Sequence, residues 1–270
     1  MNMKINLLTD DERIELPAVL LRRTRFKNII MKCIKHKEDT FSNGILIIGK
    51  PGSGKTTLVT EFLDELLENG EITDFKRASG HITQTSLFEY MKTLNPKETV
   101  VHLLDDVDCL YNPGCLEILK AALDTKGPNK DNRVVSYYTK GVANSYKYFG
   151  FCIIISNDAF INPTEHQKAL LDRVHLMEID LEYHDFMIFN THLIETYLND
   201  NPDELSDDIR QCVADFYNDT IRKWFEGKAF QKANINFSVR LIKKFIDLIV
   251  MFGNEWKGYS IDYKRLNAVI

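Results

Sequence analysis

Ile45-Leu46-Ile47-Ile48-Gly49-Lys50-Pro51-Gly52-Ser53-Gly54-Lys55-Thr56 joins an apolar run to a glycine-rich turn. Beyond Thr56, Leu58, Phe62 and Leu66 recur at helical spacing until Asn69-Gly70 ends the pattern. A strand, a G-x-x-x-x-G-K-T turn and a helix start are the context in which this motif binds phosphate. Gly49, Gly52 and Gly54 are expected to allow positive φ and close backbone approach to an anion. Successive N–H groups then form a concave anion site, backed by the helix dipole. The candidate nucleotide-binding residues are Gly49, Lys50, Pro51, Gly52, Ser53, Gly54, Lys55, Thr56 and Thr57. Lys55 is expected to reach the β- and γ-phosphates, and Thr56 to offer its hydroxyl to Mg²⁺. The motif therefore predicts a nucleoside triphosphate with Mg²⁺.

A second hydrophobic strand, Val100–Leu104, ends in Asp105-Asp106 about 50 residues later. At the C-terminal edge of a parallel sheet such a strand delivers carboxylates beside the phosphate loop. Asp105 is the candidate metal ligand with Thr56, and Asp106 the candidate group to orient or deprotonate the attacking water. Further strands are expected at Ile72–Ala78, Cys152–Ile155 and Val174–Ile179, and a hairpin across Val134–Phe149. Helices are expected at Arg25–Lys37, Thr83–Leu94, Leu116–Leu123 and Pro163–Leu171. From Tyr183 onward strand signals vanish, and helices are read at 184–198, 205–225, 228–233 and 238–252. The fold class is α/β: a three-layer αβα core with a parallel sheet, followed by a small all-helical domain. The division runs 1–40 as an N-terminal arm, 41–181 as the nucleotide-binding core, and 182–270 as helical domain and tail.

The chain has 270 residues, 44% hydrophobic and 27% charged, an ordinary globular balance. It has no apolar run long enough for a membrane span and no secretory h-region at Met1–Ile5, so the cytoplasm is the expected compartment. The five cysteines form no C-x-x-C and no Cys/His cluster, which disfavours zinc and fits a reducing compartment. A net charge of −5 argues against general coating of nucleic acid. The ten acids between Glu178 and Asp208, with no Lys or Arg among them, read as a solvated face.

Three more features join the two motifs. Ile153-Ile154-Ile155 ends in Ser156-Asn157, Leu170-Leu171-Asp172-Arg173 precedes the last strand, and Phe237-Ser238-Val239-Arg240 opens a helix. In order and spacing, this series over residues 40–252 resembles the AAA+ ATPases. The resemblance implies Walker A at Gly49–Thr56 and Walker B at Asp105-Asp106. It also implies sensor 1 at Asn157, an arginine finger at Arg173 acting on a neighbouring subunit, and sensor 2 at Arg240 in a helical lid. It further implies a homo-oligomer, ring or spiral, with a hexamer favoured. Without the resemblance, Asn157 reads as a turn cap, Arg173 as a surface ion-pair residue and Arg240 as a solvated helix arginine. Most members carry Asp-Glu in Walker B, whereas this chain has Asp-Asp, one methylene shorter. Either the geometry compensates, Asp108 contributes, or hydrolysis is slow.

Asp-Asp also resembles the superfamily III helicases of viruses and mobile elements, which carry a DNA-contacting hairpin before sensor 1. The corresponding segment here, Arg133–Phe149, interleaves Lys140 and Lys147 with Tyr137, Tyr138, Tyr146 and Tyr148. Lysines neutralise phosphates and tyrosines stack on bases, so Arg133, Lys140 and Lys147 are candidate nucleic-acid contacts. Packing of the same tyrosines on a neighbouring subunit is the equal alternative. The cargo implied is DNA, in the replication or recombination of a phage or mobile element, with a replication-protein partner, and for a phage the compartment is the host cytoplasm. A protein-remodelling ATPase is the other reading, although Ala78-Ser79-Gly80-His81-Ile82-Thr83 lacks the aromatic of an unfoldase pore loop. A small-molecule kinase is disfavoured by the helical tail. Arg22-Arg23-Thr24-Arg25-Phe26-Lys27 reads as a nucleic-acid or partner contact, or as a flank of the adenine pocket.

Overall fold

The computed structural model describes the chain except residues 1–3, 38–41, 52, 94, 125–132, 140–141, 158–159, 161, 180–182, 201–204, 228–238, 253–254, 261, 263 and 266–270. Two compact units emerge: residues 24–50 with 55–180, and residues 1–23 with 51–54 and 181–270.

The first unit is built on a parallel five-stranded sheet, order β2-β3-β6-β1-β7. Its strands are β1 (Gly44–Ile48), β2 (Asp74–Gly80), β3 (Val100–Val107), β6 (Phe151–Ser156) and β7 (His175–Glu178). Helices α2 (Lys55–Glu68), α3 (Gln84–Tyr90), α4 (Pro113–Ala122) and α5 (Glu165–Leu171) connect them. The three central strands are buried almost throughout, as continuous apolar runs covered on both faces require. Asn112 caps α4 through Gly114 and Cys115 N–H, and Thr164 and Gln167 form a capping box on α5. The fold is therefore α/β, a parallel sheet flanked by helices with a phosphate loop after β1, together with a helical unit.

The hairpin lies where the sequence puts it, β4 (Val134–Thr139) pairing antiparallel with β5 (Val142–Lys147). Its tyrosines divide by face. Tyr146 stacks on Phe88 at 4.8 Å and donates to the Phe88 carbonyl, while Tyr137 packs on the same ring and bonds Thr85. Tyr148 is buried beside His102, their polar atoms 3.1 Å apart. Burial, with Lys76 nearby, pushes the His102 imidazole down to about 3, so it is neutral. Tyr138 alone of the four faces outward, 76% exposed.

The second unit is helical. It contains the N-terminal part of α1 (Asp10–Lys35), then α6 (Tyr183–Asp200), α7 (Asp207–Phe216), α8 (Arg222–Gly227), α9 (Val239–Phe252) and α10 (Trp256–Tyr259). A π turn, Tyr217–Ile221, joins α7 to α8. Phe216, Trp224, Phe245 and Trp256 pack as an aromatic core. The N-terminal segment is stitched to α6. Leu7 and Leu8 N–H donate to Glu195 at 2.6 and 2.9 Å, and Ile5 exchanges two bonds with Asn199.

Several element limits differ from the sequence reading. Helix α1 begins at Asp10, not Arg25, because Thr9 and Glu12 form a reciprocal cap that starts it a full four turns earlier. Strand β3 continues through both aspartates to Val107. The 205–225 helix is interrupted by the π turn, and the helix read at 228–233 lies outside the described residues.

Candidate nucleotide site

The loop from Gly49 to Lys55 leaves β1 at the C-terminal edge of the sheet. Its glycines are required for two different reasons. Gly54 has φ +77°, the conformation expected of it. Gly49 does not adopt positive φ, which corrects the expectation; instead a Cβ there would stand 2.6 Å from the Ile179 carbonyl oxygen. Gly52 lies outside the described residues. The buried hydroxyl of Ser53 has no hydrogen-bond partner among the described residues, the kind of orphan that a bound anion satisfies.

Lys55 opens α2 and is buried. Its ammonium donates to the carbonyls of Gly49 and Lys50 and to Oδ1 of Asn157, at 2.7, 2.9 and 2.9 Å. Asn157 follows β6, the strand that lies between the strand of the loop and the strand of the acids. Its Nδ2 donates to Asp106 Oδ2 at 2.8 Å, so one amide bridges Lys55 to Asp106. Thr56 Oγ donates to Asp105 Oδ1 at 2.8 Å. The side chains of five sequence candidates thus form two hydrogen-bonded chains at one edge of the sheet.

A backbone irregularity decides where the neighbouring aspartates point. In a regular strand Asp105 and Asp106 point to opposite faces. Here the β2–β3 pairing steps from Ser79↔Asp105 to Gly80↔Val107, leaving Asp106 as an unpaired bulge residue. Asp106 has φ +50°, a left-handed conformation that Asp tolerates better than most residues. The bulge turns its carboxylate out to solvent and to Asn157, while Asp105 stays buried. Bulges next to active sites commonly re-aim a side chain in this way.

Two residues near the acids differ from the sequence reading. Arg77, on β2, donates to Asp105 Oδ2 at 2.5 Å; no motif marks it, since a basic residue on an edge strand belongs to none. Asp108 does not join the site. It is held by His81 at 2.5 Å and by Ile82 N–H, and these bonds keep its carboxyl below the usual range.

Of the remaining candidates, Arg173 and Arg133 have partners elsewhere in the sheet unit. Arg173 lies at the N-terminal edge of the sheet, where its carbonyl accepts from Ser42 at 2.6 Å, on the opposite edge from the phosphate loop. Its guanidinium bonds the Ala169 carbonyl of α5, the helix before it, and lies 3.7 Å from Asp124. Arg240 is in the first turn of α9, with its side chain outside the described set. On the hairpin, Arg133 donates to the Asp124 carbonyl, Lys147 is exposed, and Lys140 lies outside the described residues. The basic run near residue 22 is engaged locally: Arg22 pairs with Asp185, Arg23 stacks 3.8 Å over Phe189, and Lys27 pairs with Glu65.

Comparison with known proteins adds context. No family model matches the chain. An uncharacterised 36.7 kDa protein from the nrdC–mobD intergenic region of Enterobacteria phage T4 is 26% identical over 233 residues, covering 81% of this chain and 67% of that protein. Among solved structures, PCH-2 of C. elegans is similar with TM-score 0.46 and 16% identity, over 91% of this chain and 68% of its own. Domain III of the Thermotoga maritima replication initiation protein DnaA is similar with TM-score 0.45 and 13% identity, over 99% and 98%. Among the described residues, no helix is long and apolar enough to cross a membrane.

Proposed function

We propose that this chain is an AAA+-type ATPase that works as an oligomer on a nucleic-acid task. The reading rests above all on the bridge Lys55–Asn157–Asp106 beside Thr56–Asp105. One cation for phosphates, one exposed carboxylate for water and one buried oxygen pair for a metal meet at the end of the phosphate-loop strand. Mg²⁺ fits Thr56 and Asp105, because it is bound by few carboxylates together with substrate oxygens and water. When bound it neutralises charge on the β- and γ-oxygens.

The chain's own residues do the rest. Lys55 exchanges its bonds to the Gly49 and Lys50 carbonyls for phosphate oxygens. Asp106 accepts a proton from the attacking water while Asn157 holds that carboxylate in place. Arg240 is assigned to the γ-phosphate within the chain. Arg173, on the far edge of its own sheet, is assigned to a neighbour's γ-phosphate, in a ring or spiral with a hexamer favoured. An arginine supplied in this way is worth roughly 10³–10⁵ in rate.

The nucleic-acid task draws support from the outward hairpin face, where Tyr138 and Lys147 are exposed, and the phage relative suggests host cytoplasm. A protein partner is the second reading, since Tyr137, Tyr146 and Tyr148 pack inside the chain and are withdrawn from base stacking. ATP turnover measured with and without single-stranded DNA decides between them. Stimulation that fades with salt supports the first reading, and stimulation by protein alone supports the second. Failure of folded protein to bind MgATP by calorimetry overturns both. Inactive Lys55→Ala and Arg173→Ala chains are expected to regain activity on mixing, and no regain refutes the shared site.

A further inference from the structure

Asp105 is 6% exposed and carries the charge on which metal binding depends. A buried carboxylate without compensation is costly, so something must hold it while the site is empty. Its described partners are two side chains: Thr56 on Oδ1 at 2.8 Å and Arg77 on Oδ2 at 2.5 Å. Neither is a backbone group, so both can leave without unfolding a strand. The sheet dictates how Arg77 arrives. Ser79 pairs with Asp105 and Arg77 with Leu103, so Arg77 is the diagonal neighbour on the same face of the sheet. Its side chain is 43% exposed, and its guanidinium can withdraw into water at little cost.

We infer that Arg77 is a resident counter-charge for Asp105, holding the carboxylate in the metal-free state and yielding it to the divalent cation that comes with the nucleotide. This rests on the nucleotide reading above. A cation on Asp105 would stand close to the guanidinium, and like charges at that distance repel. Without the cation, Arg77 removes the negative charge that would otherwise face the incoming triphosphate. Arg77 therefore sets how strongly nucleotide affinity depends on metal.

Calorimetry of ATP binding, with Mg²⁺ and with EDTA, tests this in the wild-type chain, Arg77→Met, Arg77→Lys and the double variant Arg77→Met/Asp105→Asn. In Arg77→Met the metal-free affinity should fall by about tenfold while the Mg²⁺ affinity holds or tightens, so that their ratio rises about tenfold or more. Arg77→Lys should stay near wild type. The double variant, with neither charge, should regain metal-free affinity; these last two chains carry the test if Arg77→Met does not fold. An unchanged ratio, or an equal loss in both conditions, overturns the inference, the latter making Arg77 a fixed orienter of Asp105. A wild-type chain that binds ATP in neither condition overturns the nucleotide reading itself.

Discussion

Asp105 in the sheet unit and Glu195 in the helical unit are both shielded carboxylates ringed by donors, yet they are built for different ends. Asp105 is held by a hydroxyl and a half-exposed guanidinium. Glu195 is held by the backbone N–H groups of Leu7 and Leu8 and by Arg13. Side-chain donors can be exchanged for a ligand, whereas backbone donors can be released only by detaching a segment. The first arrangement suits binding and the second suits stitching, and the difference lies in the donors rather than in the acid.

The strongest way to break this comparison lies beside Asp105. Asp106→Asn should lower ATP turnover by about 10²-fold or more and leave ATP affinity within about threefold, since it removes the acceptor for the proton of water but not the phosphate contacts. Equal losses in turnover and affinity would make Asp106 a binding group. Next, Glu195→Ala should cost about 2–4 kcal/mol in urea unfolding, because two backbone donors and Arg13 lose their acceptor. A cost below about 0.5 kcal/mol would mean that the N-terminal segment is not held by it.

The same carboxylate makes stability depend on pH. Burial raises the Glu195 carboxyl, but Leu8, Leu7 and Arg13 outweigh it, and the net direction is down from 4.5. Glu12 behaves alike: burial raises it, and Arg222 and Thr9 bring it below 4.5. A depressed folded value means that the stabilisation is whole above pH 4.5 and is lost as pH falls through the folded values. Urea midpoints should hold above that point and drop below it, and Glu195→Ala should flatten the drop.

The smallest effects sharpen a second contrast, within the hairpin. Tyr146→Ala removes the ring stacked on Phe88 and should cost about 2–4 kcal/mol. Tyr138→Ala should stay within about 0.5 kcal/mol by the same thermal melt. If the outer face grips nucleic acid, only Tyr138→Ala should weaken binding without weakening the fold.

Much of this was legible because its signals are local. β1 and β6 are unbroken apolar runs, and each ends where the motif residues begin. Lys55, Thr56, Asp105 and Asn157 meet because parallel strands deliver their C-terminal residues to one edge. The bulge at Asp106 was not legible, since it depends on a one-residue step in pairing with β2. Arg77 was hidden for the same reason: its role follows from strand register. The early start of α1 does carry a local signal, the capping pattern Thr9-x-x-Glu12. Alternation along the hairpin could have divided the tyrosines, but which face turns inward is decided by Phe88 on a separate helix.

The π turn at Tyr217–Ile221 lets its helix carry one extra residue without losing its phase. Five residues wound this way sweep about the same angle as four wound as an α-helix. Residues beyond the turn therefore face as they would in an uninterrupted helix, and Trp224 meets Phe216 while Arg222 meets Glu12 at 2.6 Å. Trimming one residue within the turn would return it to α winding and keep both contacts, whereas trimming one residue just after it, at Lys223, would swing every later side chain round by about 100°.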